Sequence, residues 1–146
     1  HLPFDALEVE ITENLMLRDV STIAAKMQEL RDKGIRISID DFGTRYSSLN
    51  YLRHFPVNSI KIDQSFVRDI PTTAGRMSPI IQAIVGVARG FDLHLVAEGV
   101  ETELQERHLA DLGCDEMQGF LYSPALPADE VERLLSTHAM PNPQYH

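Results

Sequence analysis

Residues 35–44 read Ile35-Arg36-Ile37-Ser38-Ile39-Asp40-Asp41-Phe42-Gly43-Thr44. The first five make a short run rich in Ile, of the kind buried parallel strands carry. A strand over 36–41 would finish on two adjacent carboxylates. Neighbouring residues of a strand point to opposite faces. Asp40 and Asp41 can therefore reach one point only if the strand ends there and the chain turns, and Phe42-Gly43-Thr44 supplies a turn. On the N-terminal side, Gly34 stands just past a helix ending at Lys33. Asp19 or Ser21 can cap its start, and Ile23, Met27 and Leu30 fall on one face.

The same strand–helix pattern recurs along the chain. Strands are expected at 7–12, 36–41, 59–63, 94–98 and 116–120, the last with the weakest composition. A helix over 78–89 has Pro79 in its first turn and Gly90 after it. Another, over 102–112, starts with a Thr102-x-x-Gln105 capping box and ends at Gly113. A short helix over 47–53 and a last one over 128–137 complete the pattern, and 141–146 reads as a flexible tail. Strands alternating with helices imply a parallel α/β sheet, either open and doubly wound or a (β/α)8 barrel. No Gly-rich phosphate loop follows any strand, so a dinucleotide fold lacks its fingerprint. The chain shows no linker, no low-complexity segment and no sequence repeat.

Composition bounds the function classes. The chain has 146 residues, 43% apolar and 24% charged, enough for one compact domain. The net charge of −9 and the lack of a Lys/Arg run argue against DNA as a partner. A small anionic substrate would need cations between itself and the carboxylates. The single cysteine, Cys114, excludes an intrachain disulfide and a Cys-rich zinc site, and fits a reducing, cytoplasmic setting. It reads as a partly buried structural thiol. No apolar run reaches the roughly 18 residues of a membrane span. The chain begins at His1-Leu2-Pro3 without Met, as expected of a fragment, such as the cytoplasmic part of a membrane-anchored parent.

Polar residues cluster at the C-terminal ends of the strands. Glu10 and Glu13 close the first, Asp40 and Asp41 the second, and Lys61 and Asp63 the third. Glu98 and Glu101 close or follow the fourth, and Gln118 lies in the fifth. Parallel α/β folds gather their sites at that edge, where loops converge. Glu10, Asp40, Asp41 and Glu98 brought together without positive charge would repel one another and hold protons more tightly. Hard divalent cations remove that repulsion, and oxygen ligands suit Mg²⁺ or Mn²⁺. Taken singly, each residue has a plainer reading. A strand-end carboxylate is usually solvated or a helix cap, Glu98 could cap the helix after it, and Lys61 would snorkel to solvent. Recurrence at one end of successive strands favours a site. His54, His94 and His108 show no metal-ligand spacing. Tyr46 and Tyr51 read as packing residues before guanine platforms, and Ser47-Ser48 as a helix cap.

Five strings occur in order: Glu10-Ile11-Thr12-Glu13, Asp40-Asp41-Phe42-Gly43-Thr44, Lys61-Ile62-Asp63, Ala97-Glu98-Gly99-Val100-Glu101 and Gln118-Gly119-Phe120. Together, over residues 5–137, they resemble the EAL family of cyclic-di-GMP phosphodiesterases. The resemblance implies a TIM-barrel-like (β/α)8 fold, here about five βα units, with 1–140 as the C-terminal part of an EAL domain. It implies hydrolysis of cyclic-di-GMP to linear pGpG in bacterial signalling, on two Mg²⁺ or Mn²⁺ ions. Glu10, Asp40, Asp41 and Glu98 would be metal residues, with Asp40 between the ions. Lys61 would hold the attacking water and the phosphate, and Gln118 would line the site. Glu101 and Asp63 would support it, and Glu13 would steady the loop after Asp41. A homodimer and attached sensor or GGDEF domains are the implied partners.

The chain departs from the family pattern in three places. The Glu-Ala-Leu signature and the family asparagine lie upstream of His1, and a full barrel takes about 250 residues, 200 near the low end. Arg45 stands where the family usually has Gly, and Ser123-Pro124-Ala125-Leu126-Pro127 lacks a basic residue before Pro. Two other readings follow from these departures: a non-catalytic cyclic-di-GMP receptor, and an inactive fragment that self-associates through open strand edges.

Overall fold

The computed structural model describes residues 3–12, 19–44, 52–70 and 78–137. A 3-10 turn, Phe4–Ala6, leads into β1, Glu8–Thr12. The chain continues through α1 (Val20–Asp32), β2 (Arg36–Phe42), β3 (Ser59–Ile62), α2 (Gln64–Arg68) and α3 (Pro79–Gly90). Next come β4 (His94–Glu98), α4 (Glu103–Asp111), β5 (Glu116–Gln118) and α5 (Ala128–Thr137). All pairings are parallel, in the order β1-β2-β3-β4-β5.

Strand order equal to chain order decides between the two architectures. A doubly wound sheet reverses its strand order at a switch point, and a barrel wall does not. Here α1 packs on β2, α2 on β4, and α3 on both β3 and β4. The structure is an α/β wall of five parallel strands, part of a TIM-barrel-like fold. β1 and β5 each pair on one side only among the described residues.

Alternation along the strands sorts the side chains. Ile37, Ile39, Ile60, Ile62, Leu95 and Ala97 are fully buried. They form one core with Met27, Val67, Ile81, Ile84, Ala88 and Leu109 from the helices. Each buried Ile or Leu contributes about 1.5–3 kcal/mol relative to exposure. The opposite face carries Glu10, Ser38, Asp40, Lys61, Glu98 and Gln118, one strand position out of phase. The sequence thus encodes a wall that is apolar towards its helices and polar on the opposite face.

Helix starts follow the expected chemistry. Asp19 caps α1 by accepting from Thr22 N–H at 3.2 Å, and Ser78 caps α3. Thr102 and Gln105 form both arms of a capping box. Four details differ from the sequence reading. β1 starts at Glu8, one residue late, after the 3-10 turn. β2 runs on through Phe42. β5 stops at Gln118 instead of 120, and Gly119, next in the chain, lies against the Val100 backbone. Asp63 is not the last strand residue but the N-cap of α2, five residues long and too short for periodicity to reveal. Glu13, Arg45, Tyr46, Ser47, Ser48, Tyr51, most of the expected 47–53 helix and the 141–146 tail lie outside the described residues.

Candidate active site

The centre of the site is made by an irregularity in β2. The β2–β3 register shifts between Ile39 and Phe42, and Asp41 adopts a left-handed backbone, φ 56°. Its N–H donates back to Asp40 Oδ1 at 2.9 Å. Thr44 closes the turn, with its hydroxyl donating to Asp41 O at 2.9 Å. This bulge cancels the two-face alternation that would otherwise separate adjacent carboxylates. Asp and Asn tolerate the left-handed region better than most side chains.

Asp40, Asp41 and Glu98, from the ends of β2 and β4, each place a carboxylate oxygen within 4.8 Å of the other two. Between those strands, β3 supplies Lys61, only 6% exposed. Its ammonium donates to Glu10 Oε1 at 2.6 Å and sits 2.5 Å from Glu98 Oε1. The plain reading of Lys61, snorkelling to solvent, does not hold. Glu10 is reached through Lys61 and is not within the three-carboxylate group. Gln118 Nε2 donates to Glu98 Oε1 at 2.8 Å, so β5 also orients Glu98.

The electrostatics follow from this crowding. Burial, then the charges of Asp40 and Asp63, push the Asp41 carboxyl above the usual range. Burial does the same to Glu98, opposed by Lys61 and reinforced by Asp40 and Glu10. Burial works against the Lys61 charge, but hydrogen bonds to Glu10 and Glu98 outweigh it and raise the lysine further. Lys61 is thus a permanent cation. For Asp63, burial is outweighed by hydrogen bonds from Ser65, which hold its carboxyl low.

The remaining candidates are placed as follows. Glu101 is exposed beside α4, its N–H donating to Gln105 Oε1 at 2.8 Å. Glu98 caps no helix, since Thr102 does so. His94 is half exposed beside Asp115 and Glu116 at the opposite end of the strands. Cys114 is partly buried, its thiol directed at backbone carbonyls and its pKa pushed up to about 11 by burial. The Tyr122 hydroxyl donates to Glu106 at 3.0 Å, and the Gln105 side chain bonds to the backbone of Glu101, Thr102 and Val67. The capping box located Gln105, but only a tertiary contact reveals its second task.

A model of the EAL domain matches residues 1–125. The chain belongs to the EAL family. The cyclic di-GMP phosphodiesterase NbdA of Pseudomonas aeruginosa is 42% identical over 132 residues, 90% of this chain and 17% of that protein. The crystal structure of the EAL domain of Mycobacterium smegmatis DcpA superposes with a TM-score of 0.86 at 40% identity. That match covers 96% of this chain and 62% of the DcpA chain. The manganese/cy-diGMP complex of Klebsiella pneumoniae BlrP1 superposes with a TM-score of 0.70 at 33% identity, over 82% of this chain and 30% of that one. The chain spans about a fifth of the length of the curated relatives it matches. No helix among the described residues is long and apolar enough to cross a membrane.

Proposed function

We propose that this EAL segment is the C-terminal part of a metal-dependent phosphodiesterase that opens cyclic-di-GMP to linear pGpG. The convergence of Asp40, Asp41 and Glu98 beside the buried Lys61 carries this reading. The donor set fits hard divalent cations: it is all oxygen and closely spaced, and crowding and burial incline Asp41 and Glu98 to hold protons. The BlrP1 complex, with manganese and the dinucleotide together, supports the same assignment. Asp40, Asp41 and Glu98, with Glu10 from β1, would hold Mg²⁺ or Mn²⁺. Such ions would supply charge neutralisation on the phosphoryl oxygens and lower the pKa of an attacking water.

The chain's own residues have separable tasks. Lys61 stays protonated, so it acts as a fixed positive charge and hydrogen-bond donor to the phosphate, not as a base. Gln118 and Lys61 both engage Glu98 Oε1, which leaves the other oxygen of that carboxylate for a cation. Asp63, Glu101 and Glu13 would steady the loops around these groups. The greater length of the relatives leaves room for sensor or GGDEF domains, and a homodimer in the cytoplasm is the expected setting.

The test is formation of pGpG by a complete EAL domain carrying this chain, with Mg²⁺ or Mn²⁺ and with chelator. Turnover should require the metal and vanish in Asp40→Asn. Normal activity of that variant removes Asp40 from its central role. Binding of the dinucleotide without turnover, with all residues intact, would make the domain a receptor.

A further inference from the structure

Gln105 does more than cap α4. Its side chain is buried, with the residue 4% exposed. Oε1 accepts from Glu101 N–H at 2.8 Å and from Thr102 N–H at 3.0 Å. Nε2 donates to the carbonyl of Val67, in α2, at 3.2 Å. The orientation of the amide is fixed by its partners, because a flipped amide would set its NH₂ against two N–H donors. Capping explains the first two bonds. It does not explain the third, which reaches across to the helix of a different βα unit, 38 residues earlier in the chain.

Those two segments follow the strands that carry Lys61 and Glu98, while Asp40 and Asp41 stand on β2, outside both. The segment from β3 to α2 carries Lys61 and Asp63. The segment from β4 to α4 carries Glu98 and Glu101. They touch a second time where Gly99, φ 70°, lies against Gln64; a β-carbon there would stand 2.6 Å from Gln64 Cβ. Lys61 and Glu98 themselves are 2.5 Å apart, at the ends of the two strands that these segments follow.

Resting on the functional reading above, we propose that Gln105 is a positioning residue that clamps the segment after Lys61 to the segment after Glu98 and so holds Glu98 in place at the metal site. It touches neither substrate nor metal in this assignment. Its two oxygen bonds hold the Glu98–Glu101 turn, and its nitrogen bond ties that turn to α2.

Gln105→Glu separates clamp from cap. A carboxylate still accepts from the Glu101 and Thr102 N–H groups at a helix start, where negative charge is favoured. It cannot donate to the Val67 carbonyl and would repel it. Mn²⁺ affinity and pGpG turnover are measured in a complete EAL domain carrying this chain. Wild type, Gln105→Glu and Asp40→Asn are compared, with the melting temperature recorded for each. The clamp predicts about a tenfold weaker Mn²⁺ affinity in Gln105→Glu, the low end of what supporting residues of metal sites produce. The loss should exceed any change in stability, and Gln105→Met, lacking all three bonds, should lose more. Wild-type affinity and turnover in Gln105→Glu overturn the clamp. So does a loss of affinity that merely follows the melting temperature across the three Gln105 forms. Asp40→Asn is the separate control: Mn²⁺ affinity undiminished there sinks the metal-site reading itself, and the clamp with it.

Discussion

Replacing Asp41 by Asn should stabilise the chain without metal and destabilise it, relative to wild type, with metal. Asn is nearly isosteric and, like Asp, tolerates the left-handed backbone that residue 41 adopts. What changes is charge. With carboxylate oxygens within 4.8 Å, two unit charges repel by about 0.9 kcal/mol at the permittivity of water and about 3.5 kcal/mol at an effective 20. Asp41 reaches solvent and Lys61 offsets part of the repulsion, so the lower end applies, a net gain of about 1 kcal/mol. For a chain of this size that is about 3–4 °C in melting temperature. Wild type bound to Mn²⁺ at a hundred times its dissociation constant gains about 2.7 kcal/mol, which the variant forgoes, so the order of stability inverts. The pH dependence has a definite sign. A carboxyl with a raised folded-state pKa contributes stability below its ordinary value of about 3.9 and loses that contribution as pH rises through the raised value. The advantage of Asn therefore exists above that window and fades as the solution is acidified through it. Melting curves of both forms in EDTA and in Mn²⁺, from pH 4 to 8, decide the matter. A variant that melts below wild type in EDTA near neutrality, or that gains equally from Mn²⁺, refutes the reasoning.

Lys61→Met should cost about 1–3 kcal/mol in urea unfolding near neutrality, less than a fully buried pair because Glu10 is half exposed. The cost should shrink as pH falls and Glu98, with its raised pKa, takes up a proton. Turnover of the complete domain should fall by about 10²–10³-fold. Gly119→Ala should destabilise by about 3 kcal/mol or more, since its β-carbon would lie 2.2 Å from Val100 O and 2.3 Å from Val100 N. An unchanged melting temperature would show that the β5 turn can open freely. Thr102→Ala should cost about 1 kcal/mol by removing one arm of the capping box, again read by urea unfolding.

The fold was legible because two periodicities coexist along the chain. Period-two burial puts Ile37 and Ile39 on the helix side and Ser38 and Asp40 on the other, and capping residues mark where each helix starts. The site was legible as a list of strand ends, and this follows from parallel topology: every strand finishes at the same edge, so linear position alone predicts proximity. Its internal wiring was not. That Lys61 joins Glu10 to Glu98 depends on register across neighbouring strands, which no local pattern specifies. That Asp63 caps a helix depends on a five-residue element too short to carry a period.

Asp40-Asp41 shows how far local reasoning reaches and where it stops. Two adjacent strand residues cannot share a face, so a convergent pair demands a break in the strand, and the sequence offers Gly43 as the turn residue. The break falls earlier, on Asp41 itself, through a shifted register and a left-handed backbone. Gly43 is also left-handed, φ 90°, but its place in the fold is a close approach to Phe66 and Ile84. A β-carbon at 43 would stand 3.1 Å from Ile84 Cδ1, so the glycine serves the packing of the turn on α2 and α3. The strain sits instead on Asp41, whose carboxylate converges with those of Asp40 and Glu98. An unstrained residue there would return Asp41 to the opposite face, and β2 would contribute one carboxylate instead of two.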